Sequence, residues 1–188
     1  AQRATVHAHH VYGVQYAADG RVVTAGLDDH VRVLAPGTLA VELDVRAGTD
    51  DGVLTAALSP DGGQLAIGTQ DGHVHVWDTR ARAWRVRGAG GGGLSTVWQL
   101  VFSPDGARAF TASDDGLVRV WSTQTWAAPT VLDAGEGGAS ALAIAPDGAT
   151  LAAGMLWASR ARASTTPRTL DDAGPPLLLP NGEAPPSG

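Results

Sequence analysis

Three groupings of residues have types and spacings that suit chemistry. His7, His9 and His10 lie close together, and His73 and His75 stand at i and i+2, so either group offers imidazoles to zinc or copper. Gly88, Gly90 and Gly93 match the Gly-x-Gly-x-x-Gly string that wraps a dinucleotide pyrophosphate. Aspartates recur at turns, among them Asp50-Asp51, Asp71 and Asp114-Asp115, as candidate acid–base or metal groups. Each grouping lacks a second requirement. No third metal ligand of matching spacing accompanies either set of histidines. The residues after the glycines, Val97 to Ser103, are β-rich and lead into a turn, where the dinucleotide fingerprint needs a helix. There is no Gly-x-Ser-x-Gly elbow. Cys is absent, which removes a thiolate nucleophile, a Cys-based zinc site and a disulfide framework. The sequence therefore predicts no catalytic residue, no cofactor and no metal site.

Composition narrows the partners. The 188 residues carry a formal net charge of −6 with 17% charged side chains, so no strong basic patch invites nucleic acid or an anionic membrane. All 13 cationic side chains are Arg. No apolar run has the length of a transmembrane helix. The chain opens Ala1-Gln2-Arg3-Ala4, with neither Met nor a secretory apolar region, and reads as an internal piece of a longer product. An intracellular setting, cytoplasmic or nuclear, is expected.

The elements that would position these residues repeat along the chain. Phe102-Ser103-Pro104-Asp105-Gly106 opens a turn, an apolar strand follows, Asp114-Asp115-Gly116 turns again, and Leu117 to Trp121 alternates onto a tryptophan. Asp-Gly turns flanked by alternating apolar residues signal hairpins. The unit recurs at Ser59-Pro60-Asp61-Gly62 with Asp71-Gly72 and Trp77, at Asp19-Gly20 with Asp28-Asp29 and Leu34, and at Pro146-Asp147-Gly148. The first-turn aspartates at 19, 61, 105 and 147 are 42, 44 and 42 residues apart. Strands are expected at Val22–Gly26, His30–Leu34, Gln64–Thr69, His73–Asp78, Arg108–Ser113 and Leu117–Ser122. First strands are expected within Thr5–Ala17, then at Val53–Ser59, Val97–Ser103 and Ala139–Ala145, with Thr150–Gly154 as the second strand of the fourth unit. Outer strands are expected at Leu39–Val45 and near Trp84–Arg87 and Ala128–Asp133.

A period of about 40–45 residues with these turns and tryptophans resembles the WD40 repeat. The resemblance implies an all-β fold, an incomplete β-propeller of four-stranded antiparallel blades. The repeats would fall at about 5–45, 46–88 and 89–133, with a partial fourth at 134–154. It also implies a polar relay in each blade joining a lead-in His, a strand Ser or Thr, the turn Asp and the strand Trp. By position the relay residues are His7 in repeat one, Thr69, Asp71 and Trp77 in repeat two, and Ser113, Asp115 and Trp121 in repeat three. Leu34 takes the tryptophan's place in repeat one.

The same resemblance implies a non-catalytic scaffold that docks other proteins on the face carrying the strand lead-ins and second turns. His10, Tyr12, Thr96 and Trp98 would show there from the lead-ins, and Leu27, Gln70 and Asp114 from the turns. Tyr, Trp and His combine apolar area with a polar handle, which suits interface contacts. Two other readings stand beside it: a propeller with an enzymatic or ligand-binding site in its central channel, and a truncated gene-model fragment without independent function. Three and a half blades leave raw strand edges, so further repeats or a second copy would complete the ring. Residues 155–188 break the period and are rich in Pro. They are expected to be disordered, as a linker or as a frame-shifted read-through.

Overall fold

The computed structural model describes residues 5–49, 52–90, 95–134 and 137–155. The Pro-rich stretch, and both readings of it, lie outside the described residues. Those described form strands and turns only, as an open arc of four antiparallel sheets.

Blade one holds β1 (Val11–Tyr16), β2 (Val22–Gly26), β3 (His30–Leu34) and β4 (Val41–Arg46). Blade two holds β5 (Val53–Leu58), β6 (Gln64–Thr69), β7 (Val74–Asp78) and β8 (Ala83–Ala89). Blade three holds β9 (Val97–Phe102), β10 (Arg108–Ser113), β11 (Leu117–Ser122) and β12 (Thr130–Asp133). Blade four is the hairpin of β13 (Ala139–Ile144) and β14 (Leu151–Met155). In every blade, strands that are consecutive in the chain are neighbours in the sheet, so each is a meander.

The first turn is built alike four times. The side chains of Asp19, Asp61, Asp105 and Asp147 each accept the N–H two residues on, at 2.9–3.1 Å. The following glycines, Gly20, Gly62, Gly106 and Gly148, have φ between +68° and +85°, a region that costs glycine nothing. Ser59 and Ser103 add hydroxyl donors to Asp61 and Asp105 at 2.6 and 2.5 Å. These four aspartates thus serve turn architecture.

Each first strand also carries a bulge at the same place. Between Val11 and Gly13 the partner advances by one residue while the strand advances by two, so Tyr12 is extra. Leu54, Trp98 and Ser140 are the extra residues of β5, β9 and β13. A bulge of this kind re-aims side chains and sharpens the local twist.

The core lies between blades. Val23, Ala25, Val31 and Val33 of blade one meet Ala56, Leu58 and Leu65 of blade two. Ala57, Ala66, Val74 and Val76 of blade two meet Leu100, Phe102 and Trp121 of blade three. Phe110, Ala112 and Val118 of blade three meet Ala139 and Leu142 of blade four. Burying such a side chain contributes about 1.5–3 kcal/mol, and here only a neighbouring blade can bury it. Among the described residues β14 pairs with β13 alone, and the arc's first blade exposes a sheet face besides. Val11, Tyr12, Val14 and Tyr16 are 44%, 56%, 61% and 81% exposed, while Gly13 and Gln15 between them face blade two.

Candidate interaction surface

One rim of the arc is held by a hydrogen bond made three times. Leu27 donates its N–H to the His10 carbonyl at 2.9 Å, Gln70 to Gly52 at 3.3 Å, and Asp114 to Thr96 at 3.2 Å. Each bond ties the residue before a second-turn aspartate to the lead-in of the first strand in its own blade. The backbone of this rim is therefore regular, while the side chains differ from blade to blade.

His10, Gln70 and Asp114 are exposed, and Leu27, Thr96 and Trp98 are half-buried. Trp98 donates its indole N–H to the Asp114 carboxylate, which joins two of the expected residues into one feature. Leu27 lies over Gly52, where an added Cβ would fall 2.8 Å from its side chain. Tyr12 is exposed and is the surplus residue of the β1 bulge, the address that Trp98 holds in blade three. An open concavity beside Leu27 is lined by His9, Asp28, Asp29, Arg32 and Thr49.

Below the rim the relay departs from the implied one. In repeat one, His7 Nδ1 lies 2.7 Å from Asp28 Oδ1 and its Nε2 lies 2.8 Å from Thr24 Oγ1. Arg32 closes the group onto Asp28 at 3.0 Å and onto Asp44 at 3.0 Å. Burial raises the pKa of Asp28, but His7, Arg32 and the Ala8 N–H together hold it far below the usual carboxylate range. In repeat three, Trp121 donates to Thr111 Oγ1 at 3.0 Å, not to Ser113. Ser113 instead accepts from Arg119, which also pairs with Asp115 at 2.5 Å. Asp115 accepts the Leu117 N–H at 3.1 Å.

Repeat two shows why. Counting four residues back from the turn aspartates Asp28, Asp71 and Asp115 gives Thr24, Ile67 and Thr111. With Ile67 in the threonine's place, the buried N–H of Trp77 has no partner. Thr69, expected in the relay, donates to Asp71 and receives the His73 N–H at 3.1 Å. His73 Nδ1 lies 2.9 Å from Asp71 Oδ2, so Asp71 is paired without a lead-in histidine. Burial raises the Asp71 pKa, and the bonds from Thr69 and His73 more than reverse that.

One further residue escaped the sequence reading. Asp29 is buried at φ +65°, where repeats two and three have Gly72 and Gly116 at +83° and +76°. Its carboxylate accepts from the Gly48 N–H at 3.0 Å and from the Thr49 N–H and hydroxyl at 3.0 and 2.8 Å. It thereby fastens the loop into blade two. An Asp at a position that two other repeats give to Gly is the signal that marks it.

The chemical groupings separate. His7 turns inward, whereas His9 and His10 are exposed. His73 belongs to Asp71, and His75 is buried, accepting the Gly88 N–H on Nδ1 at 3.2 Å. Among the described residues no group of three or more His, Cys, Asp or Glu side chains could hold a metal ion. Gly88 lies in β8, part of the glycine string falls outside the described residues, and the element that follows is the strand β9.

The description WD40, "WD domain, G-beta repeat", matches residues 1–33, 42–78 and 90–122, together more than half of the chain. No curated protein matches it. Three matched segments, each on the first three strands of a meander blade with the same two turns, place this chain in the WD40-repeat family, typically interaction scaffolds rather than enzymes.

Proposed function

We propose that this chain is a non-catalytic docking scaffold and that its partners are proteins seated on the rim formed by His10, Leu27, Gln70, Thr96, Trp98 and Asp114. The observation that carries this reading is the thrice-repeated backbone bond beneath a rim of changing side chains. A constant frame presenting varied groups separates recognition from stability. The apolar Leu27, the amphipathic pair of Trp98 with Asp114, and the amide of Gln70 offer three unlike contacts to one extended partner.

The test is selection of a random peptide library on the immobilised chain. Enriched peptides should bind the Gln70→Ala, Trp98→Ala, Asp114→Ala triple variant at least ~10-fold more weakly, about 1.4 kcal/mol. They should bind an Asp19→Ala, Asp105→Ala variant, altered at the opposite ends of the strands, as they bind the parent. Peptides that ignore the rim substitutions would refute the assignment.

A further inference from the structure

We infer that two copies of this chain join head to tail, with Val11, Val14 and Tyr16 of one seated on Ala143, Ala152 and Gly154 of the other, through the same joint that holds blade three on blade two. In that joint Val97 stands over Gly68, so close that a Cβ built on the glycine would lie 2.6 Å from Val97 Cγ1. Leu100 and Phe102 lie in one cluster with Ala57 and Ala66. Large side chains on a first strand thus meet small ones on the preceding blade.

Among the described residues both halves of this joint are also present without a partner. Measured from the first-turn aspartates, Val11, Val14 and Tyr16 correspond to Val97, Leu100 and Phe102, and ladder partners agree: Val14 pairs with Thr24 as Leu100 pairs with Thr111. In blade four, Ala143, Ala152 and Gly154 correspond to Ala57, Ala66 and Gly68, and Ala143 pairs with Ala152 as Ala57 pairs with Ala66. Leu100 and Phe102 are buried, at 0% and 8% exposure, while Val14 and Tyr16 are 61% and 81% exposed. Ala143 and Ala152 are exposed too. Among the described residues six large apolar side chains are exposed, and Val11, Val14 and Tyr16 of this flank are three of them. A second copy supplies the fitting surface at its other end: small residues opposite large, and glycine opposite the β-branched valine.

A head-to-tail contact is heterologous, so it closes into a ring or continues as a filament. Two arcs of four blades make eight, within the range in which propellers close.

The experiment is solution mass by light scattering behind size exclusion on the full 188-residue chain. The parent should run at twice the monomer mass or more. Val14→Glu, which blocks the head, and Ala152→Glu, which blocks the tail, should each run as folded monomers, since both sites are exposed and circular dichroism should be unchanged. Mixed together, the two variants should recover a dimer and nothing larger, because one intact head then meets one intact tail. A second readout uses the absence of Cys. The template joint would place a Cβ on Gly68 3.1 Å from Val97 Cβ, near the roughly 3.5–4.5 Å of disulfides. Val11→Cys mixed with Gly154→Cys should therefore cross-link into a mixed dimer under mild oxidation. A folded monomeric parent, a Val14→Glu variant that still associates alone, or a mixture that stays monomeric would each overturn the inference.

Discussion

Trp77 and Trp121 occupy equivalent places one blade apart, yet only Trp121 has an acceptor for its N–H. The difference is one side chain, Ile67 against Thr111. A buried donor left unpaired costs about 1–3 kcal/mol, so Thr111→Val should destabilise the chain by that amount in urea unfolding. The reciprocal change is more informative. Ile67→Thr gives up apolar burial but supplies an oxygen where Trp121 finds one. Its effect should therefore couple to Trp77→Phe by about 1 kcal/mol in a double-mutant cycle. Zero coupling would mean that the new hydroxyl does not reach the indole. Thr69 and Ser113 read as relay members because they close their strands beside the turns. Counting from the turn aspartates instead leads to Thr24 and Thr111, with Ile67 as the exception. Asp29 was hidden for another reason: its role depends on a left-handed backbone and on loop N–H groups about twenty residues away.

At the level of elements, the strands bounded by Asp-Gly or Asp-Asp turns were legible nearly to the residue. β2, β3, β6, β10 and β11 end where the alternation and those turns put them. The outer strands β4, β8 and β12 differ at their ends. They are approached through Leu39, Arg82 and Ala128, which hold φ of +58°, +51° and +42° without being glycine, so composition gives no warning. Blade-to-blade contact was legible only as a need for neighbours. Its geometry rests on particular close approaches, among them Gly68 beneath Val97. Gly68→Ala should cost about 1–3 kcal/mol by overpacking that joint, and Val97→Ala in the same background should recover part of the loss. Equal urea midpoints for Gly68→Ala and the parent would show that the blades can shift apart freely.

Across the whole molecule, acid should act in two stages. His75 has its pKa lowered, first by burial and then by the nearby Arg87 and His73, while Asp71 and Asp29 partly oppose that. Below about pH 6.5 the unfolded chain binds a proton there that the folded chain refuses, so stability falls as pH drops. Protonation would also turn Nδ1 from an acceptor into a donor facing the Gly88 N–H. The depressed carboxylates, Asp28 and Asp71 under the rim and Asp61 and Asp105 in the first turns, act lower. Their stabilisation is complete above about pH 4 and is lost as pH falls through their folded values. Thermal midpoints between pH 7 and 5 should therefore decline in the parent and flatten in His75→Gln, while the fall below pH 4 remains in both. A variant that keeps the full upper slope would remove His75 from the account. The bulges of the four first strands carry a different consequence. Tyr12, Leu54, Trp98 and Ser140 are each surplus to the ladder, so no pairing rule dictates their identity, and four unlike residues stand at the same structural address. Those that are not buried, Tyr12, Trp98 and Ser140, form a natural site for diversification. A combinatorial library varied at Tyr12, Trp98 and Ser140, with the buried Leu54 kept, would sample new surfaces while every ladder hydrogen bond is inherited unchanged.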